Sequence, residues 1–190
     1  LDRLYVREEK WQEVSAIIER ELAVGVEEES DEIELKFRLG QVSQNYLSDV
    51  SKAIDCYREV ITLAPEHEGG IEALEGLLDD ESNRGDAAEI LVPLYEENEK
   101  WEQFVKATEI LVATSDDGVE KYDMLMKVGG ICAQQLDSAE RAFVAYSNAF
   151  RVNPDLPEAL EQLDGISAIL DCWKDFVGIL EEGAAKSEDP

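Results

Sequence analysis

Positive charge is scarce in this chain of 190 residues. Only 17 lysines and arginines stand against 45 acidic residues, so the formal net charge is −28. Binding to nucleic acid depends on clustered Lys and Arg side chains that displace counterions from the phosphates. The composition therefore argues against nucleic acid as a partner, and it disfavours attraction to an anionic membrane for the same reason.

Histidine is rarer still, because His67 is the only one. A triad based on histidine would have no spare base, and we expect His67 to be a surface residue near a helix start. Adjacent acids such as Asp116 and Asp117 arise by chance among 45 carboxylates and lack the spacing of a calcium loop. Walker A, GxGxxG and GxSxG motifs are missing. We therefore expect no enzyme, no metal site and no cofactor.

The cysteine count and the lack of long apolar runs narrow the class further. Cys56, Cys132 and Cys172 are odd in number, far apart and without a CxxC pair, which gives neither a disulfide framework nor a zinc site. We expect Cys56 and Cys132 to be small buried hydrophobes. A reducing compartment is favoured, so the expected location is cytoplasmic. No apolar run is long enough to predict insertion into a membrane.

The chain nevertheless has enough apolar residues for a core. They make up 44% of the sequence, and 5 prolines and 12 glycines leave room for long helices. The acidic excess has two interpretations. It can serve as a solvated helix surface that keeps the protein soluble, or it can recruit a basic partner.

A repeat of about 90 residues is the most informative pattern in the sequence. The segment 4–11 reads LYVREEKW and returns at 94–101 as LYEENEKW. The segments 37–40 (FRLG) and 53–57 (AIDCY) return at 126–129 (MKVG) and 142–146 (AFVAY), with an offset of 89 residues. Self-similarity of this kind indicates a solenoid, in which each unit packs on its neighbours.

Apolar residues recur at helical spacing throughout, and no sustained alternation predicts a strand. Trp11, Trp101 and Trp173 open three equivalent helices, and Pro93 should kink the sixth helix or delay its start. Ser30 or Asp31 is the predicted N-cap of the third helix. We predict helices near 1–8, 11–25, 31–47, 50–63, 67–79, 86–98, 101–114, 118–135, 138–152, 156–169 and 173–185.

The predicted organisation is a single all-α solenoid over residues 1–190, an α-α superhelix of about ten to eleven antiparallel helices. Its internal copies span roughly 4–78 and 94–167, and the first copy carries an extra helix near 86–98. Leu1 aligns with Leu91 inside a helical pattern. We therefore interpret the chain as a fragment of a longer array, with room for a targeting segment upstream.

The two copies resemble the tetratricopeptide repeat, a unit of two antiparallel helices. The first helix of that family holds a Leu-Gly pair, the second holds alanines around an aromatic residue, and a proline closes the unit. The positions that fit are Leu39, Gly40, Ala53, Tyr57 and Pro65 in one copy, and Gly129, Ala142, Tyr146, Ala149 and Pro154 in the other.

The resemblance implies that the first helix of each unit lines a concave groove that receives peptides or helices. The carried-over positions are Glu34, Phe37, Arg38, Gln41, Gln44 and Asn45 in one unit, and Asp123, Met126, Lys127, Gly130, Ala133 and Gln134 in the other. Some family members grip a terminal carboxylate there with Lys and Asn, but only Arg38 and Lys127 keep a cation here. The alternative for Phe37 and Met126 is a place in the core. A groove with acidic walls suits a basic or amphipathic segment better.

The expected function is therefore a protein-interaction scaffold without catalytic activity. A structural spacer or self-association module is the first alternative, because the exposed end of a repeat array stacks on neighbours. The other alternative is an accessory array of a larger enzyme or regulator.

The charge gives a prediction for stability. Repulsion among so many carboxylates is screened by salt, so the thermal unfolding midpoint should rise between low and physiological ionic strength. Calorimetry at a series of salt concentrations measures it. A midpoint that falls with added salt would mean that favourable ion pairs dominate.

Overall fold

The chain is described by a computed structural model that covers residues 2–187, and the side chains of residues 5–184. Within that range it forms eleven α-helices and no strand, so the predicted all-α class is confirmed. The helices are α1 (Asp2–Arg7), α2 (Trp11–Val24), α3 (Glu29–Asn45), α4 (Val50–Leu63), α5 (Glu68–Glu75), α6 (Arg84–Glu97), α7 (Trp101–Thr114), α8 (Gly118–Gln134), α9 (Ala139–Val152), α10 (Pro157–Leu170) and α11 (Trp173–Ser187).

The chain divides into two compact units, Leu1–Leu94 and Tyr95–Pro190. In the first unit each of the helices α1 to α4 packs on the helix that follows it, up to α5. In the second unit α7 to α10 do the same, up to α11, and α9 also packs on α11. Packing of successive helices through short connections is the arrangement of an all-α helical repeat.

The duplication seen in the sequence is repeated in the helix boundaries. Both α3 and α8 have 17 residues, and both α4 and α9 have 14, with the starts of each pair 89 residues apart. The turns between them repeat as well, because Ser48 and Asp137 both have a positive φ, of 56° and 47°. Equivalent turns at Glu9 and Glu99 precede α2 and α7, with φ near 55°. Residues other than glycine rarely adopt this conformation, so the turn geometry itself has been duplicated.

Two local predictions were wrong in detail, as was one of the two alternatives for Pro93. The N-cap of α3 is Glu28, which offers no side-chain bond, and Ser30 and Asp31 lie within the first turn. Pro93 does not delay α6, which begins at Arg84 and contains the proline. The fifth helix ends at Glu75 rather than near 79, and its chain continues through hydrogen bonds between residues three apart, a tighter turn than the α-helix.

A close contact between a glycine and a tyrosine joins the helices of each copy. A Cβ atom added at Gly40 on α3 would lie 2.5 Å from Cε1 of Tyr57 on α4. Gly129 on α8 meets Tyr146 on α9 in the same way. Both tyrosines are buried, at 0% and 3% exposure. The absent glycine side chain therefore makes the space that each tyrosine ring fills.

The core of the first unit continues from this contact toward the amino terminus. Val14 and Ile18 of α2 pack with Leu39 and Val42 of α3 and with Cys56 of α4. Burying such side chains contributes about 1.5–3 kcal/mol each. The predicted role of Cys56 as a small buried hydrophobe is confirmed.

The last helix pair shows where the second copy departs from the first. The start of α10 corresponds to that of α5, whereas its end has the turn found after α6, with Asp171 at a φ of 52° beside 54° for Glu99. Leu163 and Ile166 of α10 are buried. The corresponding leucines of the first copy are buried at both places, Leu74 and Leu77 near α5 and Leu91 and Leu94 in α6. One 14-residue helix in the second copy thus takes the place of two helices in the first.

Adjacent glycines in α8 provide a matched test of the glycine–tyrosine contact. Alanine at Gly129 would collide with the Tyr146 ring, whereas a Cβ at Gly130 has no neighbour closer than 3.9 Å. Both changes replace a helical glycine, so the gain of about 1 kcal/mol in helix propensity cancels between them. We expect Gly129→Ala to have a free energy of unfolding about 1–3 kcal/mol below that of Gly130→Ala. Chemical denaturation measures this difference, and equal stabilities would refute the assigned packing.

Candidate partner-binding site

The two sets of candidate residues lie on α3 in the first unit and on α8 in the second. Their spacings of three and four residues place each set on one side of its helix. Glu34, Gln41 and Asn45 are exposed on α3. On α8 the exposed members are Asp123, Lys127 and Gln134. These side chains form a polar row on each helix that is open to solvent within its own unit.

Phe37 is held by neighbouring helices rather than left open for a ligand. Its ring centroid lies 4.8 Å from that of His67 and 6.0 Å from that of Tyr57. A Cβ added at Gly69 on α5 would approach its Cζ atom to 2.6 Å. The aromatic ring therefore fills the contact between α3 and α5, which supports the core interpretation for this residue.

Gln44 also faces inward. Its Oε1 atom accepts a hydrogen bond of 2.8 Å from the hydroxyl of Tyr57. That hydroxyl sits in the protein interior, where burial raises the pKa of Tyr57 to about 12. A buried polar group without a partner is costly, so Gln44 has a structural task that competes with ligand binding.

Lys127, the candidate cation of α8, is engaged within its own unit. Its Nζ atom lies 2.6 Å from the carboxylate of Glu96 and 5.3 Å from the ring centroid of Phe104. Met126 and Gly130 on the same helix are half-buried. An incoming carboxylate would have to compete with Glu96, which argues against capture of a terminal carboxylate at this position.

His67 begins α5, as expected, but it is half-buried rather than a free surface residue. Its Nδ1 atom accepts a hydrogen bond of 3.0 Å from the backbone N–H of Gly70. The imidazole therefore acts as an N-cap, and its ring packs on Phe37. The N-cap is a local contact, whereas the packing on Phe37 depends on how α5 lies against α3. Sequence spacing alone did not predict that packing.

Several of the scarce cations connect helices inside the units. Lys52 of α4 reaches Glu19 of α2 at 2.5 Å. Its counterpart in the second copy, Arg141 of α9, binds both carboxylate oxygens of Glu102 on α7, at 2.8 and 2.9 Å. Arg151 of α9 likewise pairs with Glu182 of α11. Exposed pairs add little stability individually, but they neutralise cations and leave the remaining surface strongly acidic.

A cleft that the sequence did not reveal opens where α2 meets α3. Its volume is about 710 Å³, and its lining combines apolar and acidic side chains. Gly25 follows α2 with a φ of 92° and turns the chain sharply, which leaves Val24 82% exposed. The lining residues are Arg20, Glu21, Val24, Gly25, Val26, Glu27, Asp31, Glu34 and Leu35. Among the candidate residues only Glu34 belongs to it.

Metal binding and membrane insertion are the other two kinds of site that the geometry tests. Among the described residues no three His, Cys, Asp or Glu side chains are grouped so that they could hold a metal ion. In the same part of the chain, every helix is too short or too polar to cross a membrane.

Comparisons with known proteins add no identification. No protein-family model matches the sequence, and no curated protein matches it either.

The cysteines give a prediction for chemical labelling. Burial raises the pKa of the Cys56 thiol to about 11 and raises that of Cys132 as well, so at pH 8 only about one Cys56 in a thousand is a thiolate. Cys172 is only partly buried. With iodoacetamide at pH 8 we expect Cys172 to react first. Mass spectrometry of the peptides measures how much of each cysteine has been labelled. Equal labelling of Cys56 in the folded protein would contradict its burial.

Proposed function

We propose that this chain is a non-enzymatic scaffold of tetratricopeptide type that binds a basic or amphipathic segment of a protein partner. The observation that carries the proposal is the pair of exposed polar rows on α3 and α8, whose side chains, apart from Lys127, the internal packing does not use. Glu34 and Asp123 occupy equivalent positions in the two copies and are both exposed. The glycine–tyrosine contacts in both copies support the assignment to that type of repeat.

Electrostatics favours a cationic partner over the other classes. The net charge of −28 repels acidic ligands and accelerates the approach of basic ones. The ion pairs between helices reduce the number of free cations further, so a basic segment meets a surface of one dominant sign. Specificity must then come from the positions of the carboxylates and from apolar contacts.

Charge reversal on the two rows tests this function. We expect Glu34→Lys combined with Asp123→Lys to weaken binding of a fluorescent Leu/Lys amphipathic peptide by about tenfold at low salt, as measured by anisotropy. Binding of the unmodified protein should also weaken as salt is added.

A matched control separates the rows from net charge. Glu72→Lys combined with Asp164→Lys makes the same change at exposed positions on α5 and α10. An equal loss of affinity in the two double variants would show that general charge, and not the rows, determines binding.

Self-association is the second candidate, because α11 presents an uncovered apolar surface. Trp173 is 44% exposed and Val177 is 51% exposed. The counterparts of Val177 in α2 and α7, Ser15 and Val105, are buried at 4% and 0%. Light scattering over a concentration range distinguishes this candidate, since a stacking module should gain mass with concentration and should lose that gain in a Val177→Asp variant.

A further inference from the structure

The cleft between α2 and α3 has an apolar wall, part of which the fold does not require. Leu35 is half-buried and packs on the core of the first unit, whereas Val24 is 82% exposed. Gly25, with its φ of 92°, directly follows α2 and also lines the cleft. A large apolar side chain at the mouth of an open cleft gains no stability from folding, because it stays in contact with water.

The second copy shows that the repeat accepts polar residues at this place. Thr114 and Ser115 stand where the first copy has Val24 and Gly25. The hydroxyl of Thr114 donates to the carbonyl of Ile110, at 3.0 Å, and the hydroxyl of Ser115 accepts from the backbone N–H of Asp117, at 3.1 Å. The second copy thus satisfies its own turn with hydrogen bonds, whereas the first leaves an apolar opening.

The rim of the cleft lies in a segment that is richer in acidic residues than the chain as a whole. Residues 21–34 contain seven acidic side chains and no basic one, so half of the segment is acidic, against 45 of 190 in the whole chain. Glu21, Glu27, Asp31 and Glu34 line the cleft, with Arg20 as the one cation among the described lining residues. Within side chains 5–184, none of these four carboxylates forms an ion pair.

We propose that this cleft is an anchor site for an aliphatic or aromatic side chain carried by a cationic amphipathic segment of a partner protein. The apolar wall of Val24 and Leu35 would cover the anchor, and the surrounding carboxylates would pair with Lys or Arg side chains on either side of it. An apolar residue in a pocket with charged flanks is a common way for a short segment to gain specificity. The inference rests on the proposed scaffold function and adds to it the place and chemistry of the main contact.

The charge of the rim argues against a second copy of this chain as the occupant. Another molecule with a net charge of −28 would bring more carboxylates against the four already present. Like charges placed together across an interface are strongly unfavourable. A cationic segment instead relieves the repulsion that the rim carries in the free protein.

The decisive variant is Val24→Asp, because it separates apolar anchoring from charge attraction. The change adds a negative charge, so attraction alone would strengthen binding of a labelled Leu/Lys amphipathic peptide. Loss of the anchor should instead weaken binding by about tenfold in an anisotropy titration at low salt. A Lys/Ser peptide of equal charge should bind more weakly than the Leu/Lys peptide and should not be weakened by Val24→Asp.

Val119→Asp provides the matched control in the second unit. Val119 is 70% exposed and does not line the cleft, so this variant should bind the Leu/Lys peptide at least as tightly as the unmodified protein. Circular dichroism should show the same helix content in both variants, since both positions are exposed. The thermal midpoint should fall slightly for Val24→Asp, at the C-terminal end of α2, and rise slightly for Val119→Asp, in the first turn of α8. Equal affinities of the two variants, or tighter binding by Val24→Asp, would overturn the anchor site.

Further outcomes separate this inference from the proposed function. If Val24→Asp binds normally while Asp123→Lys and Gln41→Lys weaken binding, the scaffold function stands and the anchor site fails. If the unmodified protein binds neither peptide at low salt, both proposals fail. If Val24→Asp instead lowers the mass of the free protein in light scattering, the occupant is a second copy, and the proposed cationic partner is wrong.

Discussion

The contact between a glycine on one helix and a tyrosine on the next sets the geometry on which each unit depends. Gly40 against Tyr57 and Gly129 against Tyr146 bring two helix axes close enough for the surrounding aliphatic side chains to interlock. The tyrosine ring supplies a large buried surface, and its hydroxyl requires a polar partner. In the first unit that partner is Gln44, so the packing contact also determines which polar residues of α3 remain available for binding.

Charge is the second constraint, and it acts through scarcity of cations. Lys52, Arg141 and Arg151 pair with carboxylates of neighbouring helices, so these cations serve cohesion between helices more than recognition. Lys127 likewise forms an ion pair with Glu96. Regions that receive few cations become the surfaces most able to attract a basic partner. In residues 21–34, for example, only Glu32 has an ion pair, with Lys36.

Sequence reasoning predicted helices and packing partners well because both depend on short-range periodicity. The offset of 89 residues aligned Tyr57 with Tyr146, and in the structure both rings lie against a glycine. Sequence spacing was less informative for the candidate site. The spacing of Phe37 and Gln44 identifies a helix face, but it cannot say that α5 and Tyr57 cover part of that face. The sequence did not predict the cleft beside Val24. The cleft lies at the positive φ of Gly25, and a periodic pattern does not predict a backbone turn.

Comparison of the two copies offers a physical criterion for separating fold from function. Where both copies bury a residue of the same kind, as at Tyr57 and Tyr146, packing explains the residue fully. Where one copy places an exposed apolar residue and the other a polar one, as at Val24 and Thr114, packing explains neither choice. Helix propensity does not explain it either, since Val and Thr differ little in that respect. An exposed valine beside four carboxylates is neutral for stability, and the proposed anchor site accounts for it by contact with another molecule.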